Sequence, residues 1–156
     1  MADAVAAPRD DGVAGRIVRP GDEAALTELF GSLDATRFHP HPFTHEEADR
    51  IARYPGRDLY AVLEADGRFV AYGMLRGWDE GYAVPSLGIA VRPDAQGRGY
   101  GRRMMAWLAA EARSRGADRV RLRVHPENTP ARRLYESTGY AYVGEERGEL
   151  VMVLEL

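Results

Sequence analysis

The sequence predicts one mixed α/β domain, with a mostly antiparallel sheet of about seven strands flanked by about four helices. Its apolar residues switch repeatedly between helical spacing and strand-type runs. An Asp-Gly pair sits between two of those runs, as in a tight hairpin, and helix-start and helix-stop residues punctuate the rest.

Residues 1–14 (MADAVAAPRDDGVA) read as a flexible, small and polar tail, which leaves 15–156 as the domain. Arg16 to Arg19 reads as a short first strand closed by Pro20-Gly21. A helix starts at Asp22 and carries Ala25, Leu26, Leu29, Phe30 and Leu33 at helical spacing. In RFHPHPFT two prolines block regular structure. Thr44 with Glu47 then forms a capping box that opens a short helix bearing Ile51. LYAVLEA, the Asp66-Gly67 turn and FVAYGMLRGW make a hairpin, and SLGIAV makes a fourth strand ended by Arg92-Pro93.

The longest helix runs from about Gly99 to Arg115, with Met105, Leu108, Ala109 and Ala112 as its apolar stripe and Gly116 as its stop. VRLRVH alternates apolar residues with arginine, as a fifth strand would. Asn128 caps a last helix with Pro130 early and Leu134 facing inward. Tyr140–Val143 and Leu150–Leu156 close the sheet.

Composition removes several chemistries. There is no cysteine, hence no disulfide, thiolate metal site or cysteine nucleophile. All 21 basic residues are arginine, so a Schiff-base lysine and a P-loop lysine are both absent. The net charge of -3 argues against nucleic acid as a partner, and no apolar run is long enough to span a membrane. A cytoplasmic protein is the expectation; a homodimer stays open.

The most chemical stretch is Gln96-Gly97-Arg98-Gly99-Tyr100-Gly101, where a strand end passes through glycines into a helix N-terminus. Glycines admit a ligand close to the backbone, and the free N–H groups of the first helical turn favour an anion. On the glycines alone, a plain strand-to-helix turn fits equally well. A dinucleotide-binding pattern fails because Arg102 stands where its last glycine belongs.

This stretch resembles the acetyl-CoA signature Q/R-x-x-G-x-G/A of the GCN5-related N-acetyltransferases. A second match follows at that family's spacing, with Asn128, Ala131, Leu134-Tyr135-Glu136 and Gly139-Tyr140. The resemblance covers about residues 16–156. It implies a sheet splayed between strands four and five, with Gly88 at a bulge that opens it. Backbone groups of Ile89, Ala90 and Val91 would pair with the pantetheine arm, and Gln96 would begin the loop. Amides of Gly97, Arg98, Gly99, Tyr100, Gly101 and Arg102 would hold the pyrophosphate.

Asn128 would contact the cofactor near the thioester, and Tyr135 would act as general acid to the leaving thiolate. Arg132 would sit towards the nucleotide. The acceptor would be a small-molecule or peptide amine, with acetyl-CoA as co-substrate and no metal.

The general base departs from the pattern. Many members carry a glutamate where Ala83-Val84-Pro85-Ser86 stands here. Asp79 and Glu80 are the nearest acids, with Glu80 taken as the base; solvated turn residues are the plain alternative. His125 is a further option through water. His39, His41 and His45 suit contact with substrate better than a metal site. Phe43, Trp78 and Tyr82 would wall the acceptor site or belong to the core. A non-catalytic acyl-CoA sensor and an O-acetyltransferase remain the alternative functions.

Overall fold

The computed structural model describes residues 11–36 and 38–156. All but its last few residues, the expected tail lies outside them. The chain forms β1 (Ala14–Ile17), α1 (Glu23–Ser32), α2 (His45–Ala52), β2 (Leu59–Ala65), β3 (Arg68–Arg76) and β4 (Ser86–Val91). After these come α3 (Tyr100–Ser114), β5 (Arg119–Val124), α4 (Thr129–Ser137), β6 (Ala141–Glu146) and β7 (Glu149–Glu155). The strands make one sheet in the order β1-β2-β3-β4-β5-β7-β6. Every pairing is antiparallel except β4 with β5.

β2 and β3 are buried on both faces, which explains their nearly continuous apolar sequence. Alternate residues divide between two cores. Leu59, Ala61 and Leu63 of β2 pack with Met104, Met105, Leu108 and Ala112 of α3, while Tyr60 and Val62 join Leu26, Leu29, Phe30 and Ile51 of α1 and α2. Ala109, expected in the α3 stripe, is only half-buried, and Met104 takes that place.

Local chemistry sets the element ends. Asp66 and Gly67 both have positive φ, the conformation a two-residue hairpin turn needs. β1 begins at Ala14, two residues before the expected Arg16, and stops at Ile17 rather than Arg19. Asp22 causes that early stop, since its carboxylate accepts from the Arg19 amide (2.9 Å) and the Arg16 guanidinium (2.7 Å) and bends the chain into α1. Thr44 accepts from the Glu47 amide, yet the Glu47 carboxylate pairs with Arg50 and does not complete the box. β6 runs on to Glu146 because Arg147-Gly148 makes a second positive-φ hairpin. All six β6 residues are exposed, so no apolar alternation marked its length.

The sheet opens between β4 and β5. Their only register pair among the described residues is Ser86 with Arg121, where the Arg121 amide bonds to the Pro85 carbonyl at 3.0 Å. Beyond that point β4 stays paired to β3 alone, from Arg76↔Ser86 to Ala71↔Val91. The splay does not come from a bulge at Gly88, which sits in regular register opposite Met74. The sheet's bulges lie instead at Leu63/Glu64 and Tyr142/Gly144. Gly88 is required by close approach, since a Cβ there would lie 2.8 Å from Met74 Cε and 2.9 Å from Phe38 Cε1.

Candidate active site

The opening leaves one edge of β4 free. The Arg92 amide bonds to the Val70 carbonyl at 2.8 Å. Alternation along an antiparallel ladder then turns the Ala90 amide towards β3 and the Ile89 and Val91 amides towards the gap. Of the three backbone positions expected to meet an extended ligand, two are therefore free and one is committed to the sheet. The far end of β4 is held rigidly. Arg92 is buried at 3% exposure, donates Nε to the Phe69 carbonyl (3.1 Å) and forks onto Glu28 of α1, with Nη1 2.7 Å from Oε2.

β4 runs into the glycine loop. Gly97 and Gly99 both have φ of +81°, a conformation that penalises any side chain, and a Cβ at either would meet only open space. Gly99 is the N-cap of α3 and supplies no capping side chain. The first amides of α3, from Tyr100 to Arg102, thus lack an intrahelical acceptor and face a site that favours negative charge. Arg98 and Gln96 are exposed; Gln96 lines the cavity and Arg98, expected to do so, does not.

A cavity of about 440 Å³ lies over this edge and loop, bounded by Ile89, Ala90, Val91, Gln96, Gly97 and Gly99 to Arg102 on one side. Asn128, Ala131, Leu134 and Tyr135 of α4 close the other side, with Phe38 above β4. Asn128 Oδ1 accepts from the Ala131 amide at 3.4 Å, which caps α4 and leaves the side-chain NH₂ free to donate. Tyr135 is buried, and burial pushes its hydroxyl up to about 12. It therefore keeps its proton throughout the neutral range. The open strand edge, the positive-φ loop and the free amides fit a pantetheine arm ending in a pyrophosphate.

A second, larger cavity of about 750 Å³ adjoins the first and shares Arg123 with it. Its wall draws on Pro40, Met74 and Arg76, on Glu80, Tyr82 and Val84, and on Ser86, Arg121 and Glu146. Arg121 and Arg123 fall on the face of β5 opposite buried Val120, Leu122 and Val124. Arg121 Nη2 lies 2.7 Å from Glu146 Oε2 as an ion pair not aligned for a hydrogen bond, and Arg123 lies 3.8 Å from Glu149.

Several expected site residues lie elsewhere. Arg132 donates Nε to the Tyr142 hydroxyl (2.9 Å) and Nη1 to the Pro126 carbonyl (2.8 Å), which ties α4 to β6 outside the cofactor cavity. Trp78 is in the core, with the Arg115 guanidinium 5.5 Å from its ring. Phe43 packs on Phe30 with ring centroids 5.2 Å apart. Tyr82, at 63% exposure, is the one aromatic of the three that lines the larger cavity.

Asp79 is fully engaged: it accepts from the Tyr54 hydroxyl and from the Arg57 (2.8 Å) and Asp58 (3.1 Å) amides, and these bonds hold its carboxyl below the usual range. Glu80 lines the larger cavity. His125 accepts from the Glu127 amide at 3.1 Å and lines neither cavity.

The three clustered histidines diverge. His39 meets the Ala35 carbonyl and His45 meets Thr27. His41 turns inward between the Pro42 carbonyl and the Tyr72 hydroxyl (both 2.8 Å), and burial lowers its pKa. Among the described residues no three His, Asp or Glu side chains converge as a metal site would require. Nor is any helix there long and apolar enough to cross a membrane.

Arg76, Arg121, Arg123 and Glu146 were missed as site residues. The alternating arginines of VRLRVH were the available signal: once the apolar face is assigned to the core, the arginine face must line whatever the splay opens.

Comparison with known proteins agrees with this geometry. A mycothiol acetyltransferase of Thermobispora bispora is 33% identical over 142 residues, covering 83% of this chain. The chain spans about half the length of that relative, 47%. Among solved structures, the GNAT domain of S. lividans PAT superposes with a TM-score of 0.80 at 19% identity, over 92% of this chain and 90% of that one. The yncA protein of Salmonella typhimurium, solved with its cofactor acetyl-CoA, gives a TM-score of 0.72 at 24% identity over 93% and 94%. The family model for the acetyltransferase (GNAT) family matches residues 26–140, which run from within α1 through α4 and include both motifs, and the chain is a member of that family.

Proposed function

We propose that this chain is an acyltransferase that moves an acetyl or similar small acyl group from acetyl-CoA directly to an acceptor amine. One observation carries the reading: Tyr135, Asn128, the free edge of β4 and the positive-φ glycine loop line one cavity, and a second cavity large enough for an acceptor shares Arg123 with it. Acetyl-CoA supplies an activated acetyl thioester. The Ile89 and Val91 backbones orient its arm, and the amides from Gly97 to Arg102 hold its phosphates. Asn128 donates its side-chain NH₂ near the reacting carbonyl. Tyr135 Oη carries the proton that the departing sulfur takes up, and burial keeps that proton in place at neutral pH. With no cysteine to carry the acyl group, direct attack by the amine is the simplest route.

The amine must lose a proton, since alkyl amines titrate near ~10. Pro85 and Ser86 occupy the start of β4, where a carboxylate base is missing, and Asp79 is committed to the turn. Glu80 is the carboxylate left on the acceptor side outside an ion pair among the described residues, and it is exposed. We assign proton removal mainly to solvent, with Glu80 assisting.

Release of free CoA thiol, followed with a panel of amines, tests the reading. Release that requires both acetyl-CoA and an amine is the expected result. Tight binding of acetyl-CoA without release to any amine would make the chain a sensor.

A further inference from the structure

Charge in the acceptor cavity is unevenly compensated. Of its three arginines, Arg121 is paired with Glu146 and Arg123 with Glu149. Arg76 makes no ion pair among the described residues. Its Nη1 donates to the Pro40 carbonyl at 3.0 Å and approaches Met74 Sδ at 3.9 Å, which leaves most of its five N–H donors unused. It is half-buried at the end of β3, lines the acceptor cavity and does not line the cofactor cavity. Glu80 lines the same cavity and likewise makes no side-chain hydrogen bond or ion pair among the described residues.

We infer that Arg76 is the anchor for a carboxylate on the acceptor, so that the preferred acceptor is an amine that also carries a carboxylate, of the amino-acid type. The proposal rests on the acyl-transfer reading above. Glu47, already paired with Arg50, acts on Arg76 only from a distance. A half-buried guanidinium with no closer anion is a costly arrangement unless a ligand supplies one, and a planar fork matches a carboxylate in two parallel hydrogen bonds. Arg76 is fixed by the Pro40 carbonyl, so its remaining donors are pre-oriented. Glu80 provides the opposite charge in the same cavity, which suits the ammonium end of such a zwitterion. Met74, Ala83 and Val84 give an apolar patch for a side chain.

The test compares each of the standard L-amino acids, and Gly-Xaa dipeptides, with its own C-terminal amide as acceptor; polyamines and amino sugars complete the panel. Thiol release is measured at saturating acetyl-CoA. The wild-type chain is expected to prefer at least one free carboxylate over its amide by about 10–100-fold in kcat/KM, the size of one charge-assisted anchor. Arg76→Gln should remove that preference, mostly through KM, by bringing the free carboxylate's kcat/KM down towards that of its amide. Arg76→Lys should restore part of it.

Acetyl-CoA affinity and the melting temperature of each variant check that the fold persists. A purely structural loss through Pro40 would slow acids and amides alike, leave the ratio unchanged and overturn the inference. Equal use of acids and amides, or transfer only to carboxylate-free amines, would also overturn it. No transfer to any amine would instead sink the acyl-transfer reading itself.

Discussion

The two cavities are built in opposite ways. The cofactor cavity is made largely of backbone and small residues from three contiguous segments, 89–91, 96–102 and 128–135. The acceptor cavity draws on Pro40 and on the long side chains of Arg76, Glu80, Arg121 and Glu146, which are spread over more than a hundred residues of the chain. A site of amides and glycines tolerates few substitutions, because Gly97 and Gly99 fill a conformation other residues strain to reach. A site of side chains borne by loops and strand ends can change its chemistry without changing the fold. Changes on the cofactor side should therefore abolish function, and changes on the acceptor side should redirect or weaken it.

The largest effect is expected at Gly99. Gly99→Asp places a carboxylate at the N-cap of α3 where phosphate should sit, and strains a residue at φ +81°. Acetyl-CoA affinity measured by calorimetry should fall more than about 100-fold, the loss of two or more charge-assisted hydrogen bonds. Retained affinity would mean that the loop is only a turn.

Tyr135→Phe is next: the ring and cofactor affinity should persist while kcat falls by about 10²–10⁴. The pH profile sharpens this. Because burial holds Tyr135 near 12, its acidic form is lost only as pH rises through that value, so no falling limb should appear around 10. The rate at low acceptor concentration should instead climb towards the acceptor's own pKa of about 10.

On the acceptor side, Glu80→Gln should cost less than about tenfold, below the usual range for a dedicated base. A hundredfold loss with unchanged acetyl-CoA affinity would identify Glu80 as that base and blur the contrast between the cavities. The smallest effect is expected at Arg132. Arg132→Gln removes contacts to Tyr142 and Pro126 and should change acetyl-CoA affinity less than about twofold, with little loss of stability because the contacts are solvent-exposed.

The same contrast decides what was legible in the sequence. The sheet, four helices and glycine loop follow from local signals: the Asp66-Gly67 turn, the Asn128 cap and the Gln96–Gly101 pattern. The splay itself was visible only through the family resemblance, and its expected cause at Gly88 was wrong, since close packing of Met74 and Phe38 explains that glycine. Arg132 misled because its place on α4 fixed its neighbourhood and not its direction; Tyr142 captured it.

Trp78 and Phe43 misled because an aromatic beside a loop fits a core and a pocket equally well in one dimension. Arg76 stayed hidden because its significance lies in the absence of an ion-pair partner among the described residues, which is a three-dimensional fact. The full extent of β6 stayed hidden because an exposed edge strand needs no apolar period.

The central claim is that the free edge of β4 receives acetyl-CoA as an added strand would be received. Amide hydrogen exchange at Ile89 and Val91, with and without saturating acetyl-CoA, measures this directly. Both amides face the gap, and both should slow by at least about tenfold on binding, while exposed β6 from Ala141 to Glu146 exchanges as before. Binding that leaves Ile89 and Val91 exchanging at their free rates would place the cofactor elsewhere and contradict the account.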